Sequence, residues 1–190
     1  SYCHMYLTEK DAFGQYDTPA MFVAEYATKF NDGPFSTSKD GNTIFFTRNG
    51  TSKKEQSLDG SQKLKIFQAN IIKDDLQSLM SLKFNSNEYN CAHPSVSADG
   101  KTLYFASDMG GGQGGMDIWY CKLDASGAWG NPVNMGEKVN TKGNELFPSI
   151  TDENILYFAS NGHEGLSGLD VFETKIKEDK AGKVYNMGKP

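Results

Sequence analysis

The stretch Pro94-Ser-Val-Ser-Ala-Asp-Gly-Lys-Thr-Leu-Tyr-Phe105 decides the fold, because the chain contains two further versions of it. They are Phe35-Ser-Thr-Ser-Lys-Asp-Gly-Asn-Thr-Ile-Phe-Phe46 and Pro148-Ser-Ile-Thr-Asp-Glu-Asn-Ile-Leu-Tyr-Phe158, of which the latter is one residue shorter. The unit spans 59 positions from Asp40 to Asp99 and 53 positions from Asp99 to Asp152. Self-similarity at such a period predicts stacked supersecondary units that bury one another's apolar faces.

Each copy predicts a β-hairpin. A short serine-rich strand is followed by a turn and then by an apolar run, and Asp-Gly accepts the positive φ that a tight turn needs. The apolar runs predict strands that are covered on both faces. These runs are Thr43–Arg48, Thr102–Ser107 and Ile155–Ser160. We interpret the aspartates and glycines between the strands as turn residues and not as catalytic groups, namely Asp40, Gly41, Asp99, Gly100 and Asp152.

A third and a fourth strand follow in each repeat. Glycine-rich connections lead to the triplets Asp117-Ile-Trp119 and Asp170-Val-Phe172, whose aspartates we expect to hold a turn by accepting backbone hydrogen bonds. The fourth strand is predicted at Val133–Gly136 and again at Tyr185–Gly188. Four strands in each repeat predict an all-β protein, a β-propeller of four-stranded antiparallel blades.

Pairs of an apolar residue and an asparagine predict the joints between blades, at Phe30-Asn31, Phe84-Asn85 and Val139-Asn140. We therefore predict blades at residues 32–85, 86–140 and 141–190, with residues 1–31 as the tail of a preceding blade or a linker. About three blades are present. Because closed propellers have roughly four to eight blades, we expect a partial propeller that belongs to a longer protein.

Composition and charge narrow the function. The 190 residues are 37% hydrophobic, which is enough for a buried core, and no apolar run approaches the roughly 18 residues that cross a bilayer. A formal net charge of -5 with scattered lysines gives no surface to neutralise phosphates, so we do not expect nucleic acid as a partner. Cys3, Cys91 and Cys121 allow at most one internal disulfide, and the sequence leaves their redox state open.

Several loop residues are candidates for ligand or partner contact. Gly110–Gly115 contains G-x-G-x-x-G, but a strand follows it where a dinucleotide site requires a helix. Asp108 and Asp117 offer oxygen ligands for a hard cation such as Ca²⁺, yet no EF-hand spacing is present. We predict no catalytic residue, no cofactor and no metal. The candidate loop residues are Asp108, Gln113, His163 and Glu164. Trp129 is interpreted as a packing residue, with an anchor for a partner or a stacking surface for a sugar as the alternatives.

The longest motifs resemble a known family. His93–Trp119, Trp129–Gly136, Asn140–Pro148 and Leu156–Phe172 resemble the WD-like repeat of TolB-type propellers, and more narrowly the propeller of periplasmic OmpA-family proteins in bacteria with type IX secretion. The resemblance covers residues 30–190. It implies a periplasmic, outer-membrane-associated lipoprotein whose propeller contacts other envelope or secretion proteins. Peptidoglycan is bound in that family by an OmpA-like domain, which is absent from these residues.

The residues and the resemblance together predict a non-catalytic scaffold for protein–protein interaction in the bacterial cell envelope. The alternative is a propeller that binds a glycan, a peptidoglycan fragment or another small ligand. A hydrolase built on His163 and Glu164 is a third hypothesis, but the sequence has no G-x-S-x-G elbow to supply a nucleophile.

Overall fold

The computed structural model describes residues 5–21, 32–49, 57–58, 60–73, 75–166 and 168–188. All regular elements in these ranges are strands, and the ranges include no helix of the length and apolarity that crossing a membrane takes. The strands are β1 (Tyr6–Leu7), β2 (Ala20–Met21), β3 (Asp32–Thr37), β4 (Thr43–Asn49), β5 (Leu64–Ile72), β6 (Asp75–Ser81), β7 (Cys91–Val96), β8 (Thr102–Ser107), β9 (Asp117–Lys122), β10 (Val133–Asn134), β11 (Glu145–Ile150), β12 (Ile155–Ser160), β13 (Asp170–Lys177) and β14 (Lys180–Asn186).

Three sheets of four strands each carry the fold. Strands β3–β6 form blade 1, β7–β10 form blade 2 and β11–β14 form blade 3, and within each blade the strands pair antiparallel in chain order. The predicted all-β architecture of four-stranded antiparallel blades, three in number, is confirmed. The predicted blade boundaries at 85/86 and 140/141 fall in connections between the sheets and stay predictions.

The first strand of each blade contains a β-bulge. The register shifts between Asp32 and Phe35 in blade 1, and at the equivalent places in blades 2 and 3. Each bulge contains a proline, namely Pro34, Pro94 and Pro148. Proline cannot donate a ladder hydrogen bond, so a bulge is the position in a strand that tolerates it.

The second strands of blades 1 and 2 are buried on both faces, as their apolar runs predicted, whereas buried and half-buried residues alternate along the second strand of blade 3. In blade 2, Leu103 and Phe105 belong to the core shared with blade 1, whereas Tyr104 and Ala106 belong to the core shared with blade 3. The blade 1 side of the first core includes Phe45, Ile66 and Leu82. The blade 3 side of the second core includes Leu156, Phe158 and Phe172. The blades therefore hold together chiefly by apolar burial between sheet faces.

An asparagine fixes each described connection between blades. Asn85 Oδ1 accepts from the Ile66 amide at 2.9 Å, and Asn85 Nδ2 donates to the Ile66 carbonyl at 2.7 Å. Asn140 makes the same pair of bonds with Ile118, at 2.7 and 2.9 Å. The side chain thus satisfies a backbone donor and a backbone acceptor of the third strand, which a hydrocarbon side chain cannot do. The Phe30-Asn31 pair lies outside the described residues.

The N-terminal part adds a small hairpin. Strands β1 and β2 pair antiparallel, and Lys10 and Tyr16 form a bridge within the same unit. Met5 packs against the apolar cluster on the face of blade 1 that points away from blade 2. Met5 is therefore part of the cover of that face, whereas residues 8–20 are exposed.

Candidate functional site

The inner strands β3, β7 and β11 lie side by side and form a surface that we call the inner-strand groove. Serine side chains link them across blade boundaries. The Val96 amide donates to Ser36 Oγ at 3.1 Å, and the Ile150 amide donates to Ser95 Oγ at 3.0 Å. The three strands belong to different sheets, so these side-chain bonds satisfy amides that no backbone ladder reaches.

The groove opens into a cavity of about 340 Å³ beside the turns that end β3, β7 and β11. Lys39 Nζ lies 2.6 Å from Asp152 Oδ2 at this cavity and joins blade 1 to blade 3. Hydroxyl groups from all three blades contribute to the lining, and Phe35 is its large exposed aromatic ring. Hydroxyls, one ammonium, one carboxylate and an aromatic ring suit recognition by hydrogen bonding and stacking.

His93 and Phe147 form an aromatic pair on the inner strands. Their ring centroids are 3.9 Å apart with an interplanar angle of 21°, and the Phe147 amide donates to His93 Nδ1 at 3.3 Å. Both residues have positive φ, 56° and 52°, a conformation that is uncommon for side chains with a Cβ. Burial lowers the pKa of His93 to about 4. His93 is therefore a neutral, half-buried hydrogen-bond acceptor.

The Asp-Gly turns of blades 1 and 2 have the predicted geometry. Gly41 and Gly100 have φ of 72° and 69°. Asp40 accepts from Ser38 Oγ at 2.5 Å, and Asp99 accepts from Ser97 Oγ at 2.6 Å. Each aspartate also accepts from the amide two residues on, and these bonds lower the pKa of both carboxyl groups. The carboxylates are occupied within their own turns.

The turn of blade 3 differs because it is one residue shorter. The positive φ of 57° falls on Asn154, whose amide donates to the Thr151 carbonyl at 3.0 Å. Asp152 therefore does not hold this turn in the way that Asp40 and Asp99 hold theirs. Its carboxylate instead pairs with Lys39 across the groove.

Asp117 and Asp170 hold the glycine-rich loops. Asp117 is fully buried, and its Oδ2 accepts from the Gln113 amide at 2.5 Å and from Asn134 Nδ2 at 3.0 Å, whereas its Oδ1 has no partner. Asp170 accepts from the Leu166 amide at 2.7 Å. The aromatic residues of the same triplets are buried. Trp119 Nε1 donates to the Ser107 carbonyl at 3.2 Å, and Phe172 belongs to the core between blades 2 and 3.

The four candidate loop residues lie at the opposite end of the blades from the cavity. Asp108 accepts from both the amide and the side chain of Asn90, at 2.5 and 2.8 Å, so it anchors the connection that enters blade 2. His163 Nε2 lies 2.8 Å from the Val139 carbonyl, and its ring packs against Phe172. Gln113 and Glu164 are exposed. Asp108 is exposed as well, whereas His163 is half-buried, so three of the four side chains are open to a partner.

Neither a reactive cysteine nor a cluster of metal-ligating side chains is found among the described residues. Cys91 and Cys121 are free and buried, and burial raises the pKa of each thiol to about 12. Thiols with such pKa values are poor nucleophiles and poor metal ligands at neutral pH. The part of the chain that the structure describes contains no group of three or more His, Cys, Asp or Glu placed to hold a metal ion. Cys3 lies outside it.

Trp129 packs between blades. Its Nε1 donates to Gln68 Oε1 at 2.9 Å, and its ring meets Phe45 edge to face at a centroid distance of 5.6 Å. Both partners belong to blade 1, whereas Trp129 follows the third strand of blade 2. Trp129 therefore stabilises the contact between blades 1 and 2.

Sequence reasoning missed the residues that line the groove. Neither Lys39 nor the pair of His93 and Phe147 was a candidate site residue, although a signal existed. His93 and Phe147 each precede the proline of an inner-strand bulge, in His93-Pro94 and Phe147-Pro148. Aligning the repeats on these prolines places the two side chains at the same position of neighbouring blades.

Comparison with known proteins supports the fold. No protein-family model matches the sequence, and no curated protein matches it significantly. Solved structures do match. A TolB from Agrobacterium tumefaciens has a TM-score of 0.57 at 19% identity over 95% of this chain and 59% of that chain. TolB from Acinetobacter baumannii has a TM-score of 0.54 at 16% identity over 94% of this chain and 37% of its own.

A puromycin-hydrolysing peptidase from Mycobacterium tuberculosis also matches, with a TM-score of 0.57 at 14% identity over 97% of this chain and 30% of that chain. The structural neighbours are thus TolB-like β-propeller proteins, including propeller domains of peptidases. Identities this low speak for the fold alone. The chain spans less than two thirds of the length of each of these proteins.

Proposed function

We propose that this chain is a non-catalytic β-propeller scaffold that binds other proteins in the bacterial cell envelope. The observation that carries the proposal is that polar side chains of the turns and loops are engaged in hydrogen bonds within the fold. Asp99, Asp108 and His163 each form hydrogen bonds with neighbouring residues, which supports a structural use of these side chains. What the molecule offers to a partner is a rigid surface, the inner-strand groove, with hydroxyl and aromatic groups exposed along it.

The envelope placement rests on the sequence resemblance to the propellers of periplasmic OmpA-family proteins. That resemblance extends through His93–Trp119 and Leu156–Phe172, and the likeness of the fold to TolB structures is compatible with it. We infer a periplasmic, outer-membrane-associated location, with other envelope or secretion proteins as partners. Contact with peptidoglycan would be made by an OmpA-like domain outside these residues.

A hydrolytic role is not part of the proposal, although peptidases occur among the structural neighbours. His163 Nε2 is committed to the Val139 carbonyl at 2.8 Å, and its ring is packed on Phe172. A ring that donates Nε2–H to this carbonyl has its lone pair on Nδ1, and the sequence has no G-x-S-x-G serine to serve as the nucleophile that such a base would activate. In His93 the lone pair of Nδ1 is occupied, because it accepts from the Phe147 amide.

The second candidate function is binding of a glycan or peptidoglycan fragment, and the cavity is the observation that favours it. Its volume of about 340 Å³ lies at the lower end of small-ligand pockets, and its lining includes Phe35 beside serine hydroxyls. A sugar ring stacks on such an aromatic face while its hydroxyls bond to the serines.

Photo-crosslinking in the native host tests the scaffold proposal. A photoreactive phenylalanine analogue is placed at Phe147 in the groove or at Ile72, which is exposed to a similar extent, 45% against 48%, but lies outside the groove. We expect a discrete protein adduct from position 147 and none from position 72. Equal adducts from both positions, or none from either, would contradict a protein partner in the groove.

Calorimetry with purified muropeptides tests the second function. We expect no saturable heat from the wild-type chain. Saturable binding that is lost in Phe35→Ala but kept in Phe13→Ala, a change at an exposed ring of the N-terminal hairpin, would favour the ligand-binding function instead.

A further inference from the structure

Blade 3 has one face that the structure leaves uncovered, and the repeat shows what such a face normally meets. Three positions on it have equivalents in blades 1 and 2. Val171 corresponds to Ile66 and Ile118, because all three lie on third strands and pair with equivalent residues of the second strands. Ile66 pairs with Thr47, Ile118 with Ala106 and Val171 with Ala159. Met187 corresponds to Leu82 and Met135, since each of these amides donates to the carbonyl of the third-strand residue. Tyr157 corresponds to Phe45 and Tyr104.

Exposure separates blade 3 from the other two. Ile66 and Ile118 are 0% exposed beneath the following blade, whereas Val171 is 51% exposed. Leu82 and Met135 are 5% and 9% exposed, whereas Met187 is 48% exposed. The residue types are the same in all three blades, aromatic, β-branched and long aliphatic, so the face of blade 3 has the composition of an interface.

Two hydrogen-bonding positions repeat along with the apolar ones. Ser36 Oγ and Ser95 Oγ each accept from an amide of the next inner strand, and Ser149 is the equivalent serine of blade 3. The backbone of Ile66 and of Ile118 is bonded by the asparagine of the following joint. Val171 occupies that position in blade 3.

We propose that the face of blade 3 formed by Tyr157, Ala159, Val171 and Met187 is the docking surface for a further four-stranded blade of the same repeat. The incoming blade places an aliphatic and a phenylalanine side chain of its second strand on this face, as Leu103 and Phe105 do on blade 1. Its joint carries an asparagine that pairs with the backbone of Val171, and an amide of its first strand donates to Ser149 Oγ. The structural neighbours are longer than this chain, which agrees with such an occupant.

A second copy of this chain is a poorer occupant. The matching apolar face of blade 1, which contains Ile44 and Phe46, is already buried, and Met5 is among the residues packed against it. A second chain would have to displace this cover before its blade 1 could dock on blade 3. The inference does not depend on the function proposed above.

Extending the full chain by one blade tests the inference. Asn186-Met-Gly188 repeats Asn134-Met-Gly136, so a copy of residues 137–188 placed directly after Gly188 continues the chain in register. We expect amide exchange of residues 169–177, followed by mass spectrometry, to slow at least about tenfold in the extended chain, because docking removes local opening. Val171→Asp should abolish this protection. Val133→Asp, at a valine that is 47% exposed in blade 2, should leave it intact.

A second extension guards against an appended blade that fails to fold. In this chain a copy of residues 83–136 is attached directly after Met187. Met187 is the equivalent of Leu82, and residue 83 follows Leu82 in the natural sequence, so the junction keeps the register of the repeat. Absence of protection in both extended chains would overturn the inference. Sedimentation of the unextended chain gives the other decisive result, because a dimer that dissociates with Val171→Asp but not with Val133→Asp would make a second copy the occupant and would also overturn it.

Discussion

Single polar and glycine positions fix the contacts between blades. Asn140 is 2% exposed and bonds to both backbone groups of Ile118 and to Asn134, so one side chain closes the connection between blades 2 and 3. The glycines act by the absence of a side chain. A Cβ on Gly115 of blade 2 would lie 2.4 Å from Asn144 Oδ1 of blade 3, and one on Gly114 would meet the Thr141 carbonyl oxygen. The loops of neighbouring blades therefore interlock through positions that have no room for a methyl group.

Replacing Asn140 with alanine should lower the free energy of unfolding by about 2–3 kcal/mol, because the buried Ile118 amide loses its acceptor and the Ile118 carbonyl keeps only the Met135 amide as a donor. Asn131→Ala, at an exposed asparagine, is the control and should change stability by less than about 0.5 kcal/mol. Urea unfolding followed by tryptophan fluorescence measures both. Equal stability of the two variants would mean that the asparagine does not hold the joint.

Gly114→Ala should destabilise the protein by about 2–3 kcal/mol. The new Cβ would lie 2.4 Å from the Thr141 carbonyl oxygen and 2.5 Å from the Lys142 carbonyl carbon, and backbone atoms cannot move aside cheaply. Gly110→Ala in the same loop meets nothing within 4 Å and should be close to neutral. Thermal unfolding of the two variants distinguishes a steric requirement from general flexibility of the loop, since flexibility alone predicts similar losses at both positions.

His93 should make stability depend on pH. Its pKa of about 4 in the folded protein is below the ordinary histidine value of 6.5, so the unfolded chain binds the proton more tightly. Stability therefore falls as pH decreases from about 6.5 to about 4 and the loss is complete below that, on the order of 2 kcal/mol. Asparagine tolerates positive φ and does not titrate, so His93→Asn should flatten this part of the curve of unfolding free energy against pH. An unchanged slope would assign the pH dependence to other groups.

At the scale of elements, a buried ion pair and an exposed ion pair contribute differently to stability. Arg48 Nε lies 2.5 Å from Asp32 Oδ1 between β3 and β4, and the side chains are only 4% and 5% exposed. The guanidinium also lies over the ring of Phe46. Lys39 and Asp152 join blade 1 to blade 3 at a similar distance, but their side chains are 66% and 60% exposed. Water screens the second pair and not the first.

Arg48→Met should therefore cost about 3–5 kcal/mol, because it removes the buried guanidinium that pairs with the Asp32 carboxylate. Lys39→Met, an equivalent loss of a cation at an exposed pair, should leave the unfolding transition unchanged within error. Guanidinium unfolding is unsuitable here because the denaturant is a salt, so urea is used for both. A large loss in Lys39→Met would indicate that the ion pair holds the blades together.

At the scale of the whole molecule, the three blades behave as a stack in which each blade contacts its neighbours. The apolar cores lie between adjacent sheets, so each pair of neighbouring blades contributes to the free energy of unfolding. A blade face without a neighbour makes no such contribution. The Asp-Gly turns and the inner-strand groove meet at one end, while the glycine-rich loops meet at the other. The groove is thus exposed at one end of the blades, and the loops join the blades at the other end.

The sequence by itself determined the repeat, the four strands of each blade and the turns at Asp40-Gly41 and Asp99-Gly100. These features depend on local preferences, alternating burial within a strand and positive φ at glycine, which neighbouring residues decide. It also indicated the joints, because an asparagine after an apolar residue recurs with the repeat. Only the tertiary structure decided the pairing of Lys39 with Asp152, the stacking of His93 on Phe147 and the exposure of Val171. Those features involve residues far apart in the chain. They depend on which surfaces become buried when the blades stack, and a local sequence pattern does not determine that.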